Sequence, residues 1–141
     1  MPRMSLLCGL VVTTLAGCAP IGNSSSERDI GQIHLRLDSM MPVIIAPDTV
    51  GRAVSFAVVV NTFGSSSCTT PDGVALVITP QLARITPYDR IQTQGACTAD
   101  YASRPHPVTV RFTDPGAATL RVIGRVGTAL DSVDRVVVVT P

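Results

Sequence analysis

The 141-residue sequence has no tryptophan, no lysine and a single glutamate, Glu27. Aromatic residues make up 4% of the chain, so platforms on which bases or sugars stack are poorly supplied. Every basic side chain is an arginine, and 11 of them against 10 acids leave a net charge of +1. The charges are scattered, which argues against an electrostatic footprint for nucleic acid or an anionic lipid surface. Motifs that carry chemistry are equally scarce. There is no Gly-x-Ser-x-Gly elbow, no phosphate-cradling glycine loop and no Cys-x-x-Cys pair. An enzyme needs a nucleophile, acid–base groups or a metal held in a pocket. The inventory is too thin for that, so no enzyme activity and no cofactor are expected. Long stretches with a helical apolar period are also missing.

What is present is Val, Ile and Thr in short runs, punctuated by 11 glycines and 11 prolines. That composition predicts many short strands joined by turns. Gln32–Asp38 alternates, with Ile33, Leu35 and Leu37 inward and His34, Arg36 and Asp38 outward. Val43–Ala46, between Pro42 and Pro47, reads as an edge strand. Arg52–Thr62 is the strongest strand, with Val54, Phe56, Val58 and Val60 on one face. Its other face is also largely apolar, which suits a central strand. Phe63–Gly73 reads as a polar loop, Val74–Thr79 and Ala83–Thr86 as short strands around Pro80, and Pro87–Pro105 as irregular. Val108–Phe112 and Ala118–Val126 form the most legible hairpin, around Asp114-Pro115-Gly116 in a type II turn. Its Val108, Val110 and Phe112 are expected to pack with Leu120 and Val122. Gly127–Asp131 turns the chain again, and Val133–Thr140 closes it with Arg135 as an edge-softening charge. Seven to eight strands at a spacing of about 8–12 residues predict an all-β fold, an antiparallel β-sandwich over residues 31–141. A small β-barrel is the alternative.

The N-terminus follows other rules. Arg3 is the only charged side chain in the first 26 residues, and Ser5–Leu15 is uncharged and largely apolar. That is the pattern of a secretory signal; at roughly ten residues the run is too short for a hydrocarbon core, which needs about 20. It closes on Leu15-Ala16-Gly17-Cys18, which resembles the lipobox of bacterial lipoproteins. The resemblance implies that residues 1–17 are removed, Cys8 with them. Cys18 then carries a diacylglyceryl group through its sulfur, and palmitate-type chains hold the protein to a membrane. Two or more acyl chains make a stable anchor, each buried CH₂ contributing about 0.8 kcal/mol. The implied address is the bacterial cell envelope, and Ala19, where aspartate would resemble an inner-membrane retention signal, points to the outer membrane. Residues 18–30 read as the lipidated end and a flexible tether; Ala19–Asp29, fully stretched, spans at most about 36 Å.

Cys68 and Cys97 are then the remaining thiols, and in an oxidising compartment they are expected to pair. A closed loop of that length contributes about 3–4 kcal/mol in the chain-entropy model. A metal or redox pair is the rival, but the cysteines lie far from Cys-x-x-Cys spacing and no histidine adjoins either. His34 reads as a solvated strand residue and His106, between Pro105 and Pro107, as a rigid loop residue. Met40 and Met41 are neighbours whose side chains diverge in an extended segment, which suits packing better than copper. Asp131 and Asp134 flank the last turn but offer too few oxygens for calcium. The disulfide-braced loops carry Phe63, Tyr101, Arg104 and His106, the candidate contact region.

Three features resemble a bacterial immunoglobulin-like domain: Pro47-Asp48-Thr49-Val50-Gly51 before the long strand, the alternating run from Val108 through Asp114-Pro115-Gly116 to Val122, and the Val-rich closing strand. The Cys…Trp…Cys pattern of antibody domains is missing, so the disulfide is expected to brace loops and not to cross the core. The expected function is that of a non-catalytic envelope lipoprotein, a tethered interaction or structural module whose partner is an envelope protein or polymer and not nucleic acid. A small periplasmic ligand- or metal-binding protein using His34, His106 or loop carboxylates is the alternative.

Overall fold

In the computed structural model, which describes residues 25–33 and 41–141, every regular element is a strand. Cys18, His34 and Met40 lie outside the described residues. The strands are β1 (Ser26–Ile30), β2 (Ile44–Ile45), β3 (Thr49–Gly51), β4 (Ser55–Gly64), β5 (Thr69–Thr79), β6 (Leu82–Gln92), β7 (Ala102–Arg111), β8 (Gly116–Val126) and β9 (Ala129–Thr140). A three-stranded sheet runs β2-β4-β7, with β4 central as its two apolar faces require. The other sheet has six strands: β6, β8, β9 and β3 in order, with β5 along one edge of β6. Its opposite edge is shared. Leu82–Ile85 pairs with β8, and Tyr88–Gln92 pairs with β1. The sheets curl into a half-barrel around one apolar core.

The larger sheet is mixed, which corrects the expectation of a wholly antiparallel fold. β6 and β8 are parallel, as are β3 and β9. The cause is the path of the chain. After β6 it runs back through β7 in the smaller sheet, so β8 re-enters the larger sheet in the direction of β6. β7 and β8 are therefore not a hairpin: β7 pairs with β4, while Asp114-Pro115-Gly116 carries the chain from one sheet to the other. Gly116 turns there with φ of +117°, a conformation closed to most side chains. Val110 and Phe112 do pack with Leu120 and Val122, but face to face across the core. β8 instead forms a hairpin with β9, turning at Gly127, and β5 forms one with β6.

Alternation fills the interior. Phe56, Val58 and Val60 from β4, Val110 from β7 and Phe112 just beyond its end meet Ile85, Leu120, Val122, Val137 and Val139 from the larger sheet. The rings of Phe56 and Phe112 pack with centroids 5.9 Å apart. Val54 departs from the expected inward row and is 55% exposed, because β4 begins after the turn at Ala53. Strands also extend through segments expected to be irregular. β4 continues to Gly64, β5 begins at Thr69, β6 reaches Gln92 and β7 begins at Ala102. Some of the expected tether is ordered too: Ser26–Ile30 is β1, held by the half of β6 that β8 leaves unpaired.

Beyond β1 the chain crosses a junction. Gly31 N–H donates to the Pro87 carbonyl at 2.9 Å, and the Gly31 carbonyl accepts from Arg125 N–H at 2.9 Å. Ile33 N–H donates to the Arg125 carbonyl, and the Gln32 carbonyl accepts from Phe63 N–H, both at 2.9 Å. Three residues thus join β6 and β8 to β4 of the other sheet. Gly31 fits there because a Cβ would stand 2.8 Å from Asp89 Oδ2 and collide with the Thr62 side chain.

Leu120 is fully buried and Val136 is 59% exposed, although each lies in a long strand of the larger sheet. Leu120→Ala is expected to cost about 2–5 kcal/mol through lost burial and a residual cavity, and Val136→Ala to stay within about 0.5 kcal/mol of the parent. Urea unfolding of the two variants measures both.

Candidate functional site

The disulfide gathers the least regular region of the fold. Cys68 and Cys97 are bonded, with Cα atoms 5.6 Å apart, and join the β4–β5 turn to the segment between β6 and β7. Hydroxyls knit the two together: Thr98 Oγ1 lies 2.9 Å from Ser65 Oγ and 3.0 Å from Ser66 Oγ. Ser66 N–H donates to Asp100 Oδ1 at 3.1 Å. Hydrogen bonds from Thr98 and then Ser66 hold the Asp100 carboxyl down from its usual 3.8 to about 2. Arg104 spreads its fork across carbonyls, with Nε to Thr69 at 2.7 Å and Nη2 to Ser65 at 2.9 Å. It ties β7 to the start of β5.

Of the four candidate contact residues, two are interior. Phe63 is buried in β4, because its strand outlasts the expected boundary, and His106 is buried in β7. Arg104 is half-buried and engaged by the backbone. Tyr101 alone is broadly open, at 63% exposure, four residues after Cys97.

His106 belongs to a polar cluster that sequence reasoning missed. Its Nε2 lies 3.0 Å from Asp89 Oδ1 and 3.1 Å from Thr62 Oγ1. All three residues are buried, on β7, β6 and β4. Nε2–H donates to the Asp89 carboxylate, and the Thr62 hydroxyl is then free to donate to the Arg104 carbonyl at 3.4 Å. Both neighbours use the same ring nitrogen. A relay in which one nitrogen takes a hydroxyl proton while an acid steadies the other requires opposite nitrogens. The cluster is therefore built to tie the two sheets together and not to activate Thr62. A single charged residue at Asp89, inward on an alternating strand, was the available signal.

Two clefts flank this end. One, of about 270 Å³, has Ile30, Phe63 and Ile91 as apolar wall, with Asp89, Arg125 and Tyr101 as polar groups. Arg125 forms an ion pair there with Asp29. The other, of about 260 Å³, is lined by Ser26, Ser67, Cys68, Thr70, Arg90 and Gln92. The carboxylates weighed for calcium take other roles. Arg121 binds Asp134 through two nitrogens, at 2.8 and 2.6 Å, and holds its carboxyl below the usual range. Met41 is exposed. Among the described residues no group of three or more His, Cys, Asp or Glu is placed to hold a metal ion.

Removing Asp89 leaves a buried imidazole N–H without its acceptor. Asp89→Ala is expected to cost at least about 1–3 kcal/mol in thermal or urea unfolding, with Asp89→Asn recovering some of the loss. Asp100 gives a pH signature. Its folded value lies below its unfolded one, so its contribution is present above pH 3.8 and is lost as pH falls toward about 2. The melting-temperature gap between the parent and Asp100→Asn is expected to close across that window. Compared with protein-family models, with curated proteins and with solved structures, the chain matches none of them.

Proposed function

We propose that the chain is a non-catalytic lipoprotein of the bacterial cell envelope, anchored through acyl chains on Cys18 and serving as an interaction or structural module. One observation carries the reading. Cys68 and Cys97 are bonded to each other, so once Cys8 leaves with the apolar run, Cys18 is the one thiol left for acylation. A disulfide also belongs to the oxidising side of a membrane, where the Leu15-Ala16-Gly17-Cys18 sequence would deliver the chain. The outer membrane is the proposed address and an envelope protein or polymer the proposed partner, with Tyr101 on its braced segment as the exposed aromatic for that contact.

The fold is read as a variant of the immunoglobulin-like sandwich. Support comes from the core enclosed between two sheets and from the β7–β8 crossing between them. The parallel β6–β8 pair is the departure.

Cys18→Ala is expected to abolish incorporation of a palmitate label and to move the protein from the membrane to the soluble fraction, while Cys8→Ala changes neither. Label retained in Cys18→Ala would end the anchor reading.

A further inference from the structure

We infer that the cleft beside Ser26 and Arg90 receives the phosphate of an anionic phospholipid headgroup, in the bilayer that holds the anchor. The inference rests on the anchor reading and adds to it which end of the domain meets the membrane. Its first support is the pairing of β1 with β6, which sets Arg28 directly opposite Arg90. Like charges in that position repel and destabilise the ladder. A single carboxylate separates them: Asp72 Oδ2 lies 3.3 Å from Arg28 Nε and 2.9 Å from Arg90 Nη2. One acid between two guanidiniums leaves a local charge of +1. Glu27 and Asp29 flank Arg28 in the strand and so point to the other face, where Asp29 is paired with Arg125.

The second support is the lining. Ser26, Ser67, Thr70 and Gln92 present hydroxyls and an amide beside the Arg90 guanidinium, and no carboxylate lines the cleft itself, Asp72 engaging Arg90 from beside it. Arg90 Nη1 donates to Ser26 Oγ at 3.4 Å, which points one arm of its fork toward the cleft. Arg28 is stacked over the Tyr88 ring, 3.8 Å from its centroid, and is held in place before any ligand arrives. Both arginine side chains remain about half exposed. Donors fixed in position around residual positive charge suit a phosphate.

The third support is reach. Ser26 follows Cys18 by eight residues, which span at most about 26 Å even when fully extended. With Cys18 acylated, that length keeps the cleft at the start of β1 within reach of the bilayer surface. The anchor then keeps the site at high effective concentration, so a contact that is measurable but modest in the free protein is strengthened on the membrane. Even charge along the sequence conceals the site, since Arg28 and Arg90 meet only through strand pairing.

The test uses the mature chain with Cys18→Ser, which carries no lipid, and sedimentation with vesicles at low ionic strength. Binding is expected to vesicles containing phosphatidylglycerol, to exceed that to phosphatidylcholine alone, and to fall as salt rises. Arg28→Gln and Arg90→Gln should each weaken it about fivefold, Arg90→Lys should retain most of it, and Arg84→Gln, elsewhere on the sheet, should leave it unchanged. An intact disulfide and parental melting temperature establish that each variant is folded. Equal binding to both vesicle types, or parental binding by folded Arg90→Gln, overturns the inference. So does full displacement by free glycerol phosphate, which would assign the cleft to a soluble anion. Acylation plays no role in this assay, so its failure stays distinct from a failure of the palmitate test.

Discussion

Everything in the fold converges on the short passage Gly31-Gln32-Ile33. Its backbone bonds reach β6 through Pro87, β8 through Arg125 and β4 through Phe63. Ile33, at its end, is fully buried in the core. These bonds make one body of two sheets that otherwise meet mainly through apolar side chains. The close approach that Gly31 permits also lets the Thr62 and Asp89 side chains come together beneath it. The buried cluster with His106 depends on that approach, so backbone and side-chain ties between the sheets share one location.

The alternating apolar rows were legible in the sequence, and they give the all-β class, the core faces of β4, β8 and β9 and the turn at Gly116. Ladder partners were not. Val108, Val110 and Phe112 alternate in the same way whether they pair with Leu120 and Val122 or face them across a core, since period alone does not record hydrogen-bond neighbours. Prolines misled in a specific way. Pro105 and Pro107 suggested a loop, yet they are spaced two apart in β7 and lie opposite Asn61 and Val59. At that spacing both ring nitrogens face the same side, so an outer strand accommodates them with its ladder to β4 intact. Pro87 likewise falls where β6 passes from β8 to β1. The candidate site was only half legible. Tyr101 and the cysteine pair stood out by residue type, but Phe63 and His106 were assigned to a surface because β4 was ended too early, at Thr62, and β7 begun too late, at Val108. Asp89 stayed hidden because a lone inward acid has no meaning until its partner is known.

Arginine does structural work that charge counting obscures. Arg104 holds the carbonyls of Thr69 and Ser65, and Arg52 reaches that of Thr113 at 3.1 Å. Arg135, expected to soften an edge, instead donates to the Ala46 carbonyl and to Asp48, both at 2.8 Å. It thereby secures the link between β2 and β3. A planar fork serves two acceptors at once, which a lysine ammonium on a flexible stem does less well. In a chain without lysine, four of the described arginines, Arg28, Arg52, Arg104 and Arg135, serve as clamps on backbone oxygens.

The insertion of β1 along the free half of β6 also has a mechanical meaning. Force applied through the N-terminal segment enters at Ser26 and passes at once into β6, which is paired along both edges. Pulled lengthwise, the five residues of β1 share the strain together; pulled sideways, they detach in succession, beginning at Ser26. The Asp29–Arg125 ion pair lies toward the far end of that sequence of events and would be among the last ties to open. The direction of pull, more than its size, would decide whether the domain stays whole.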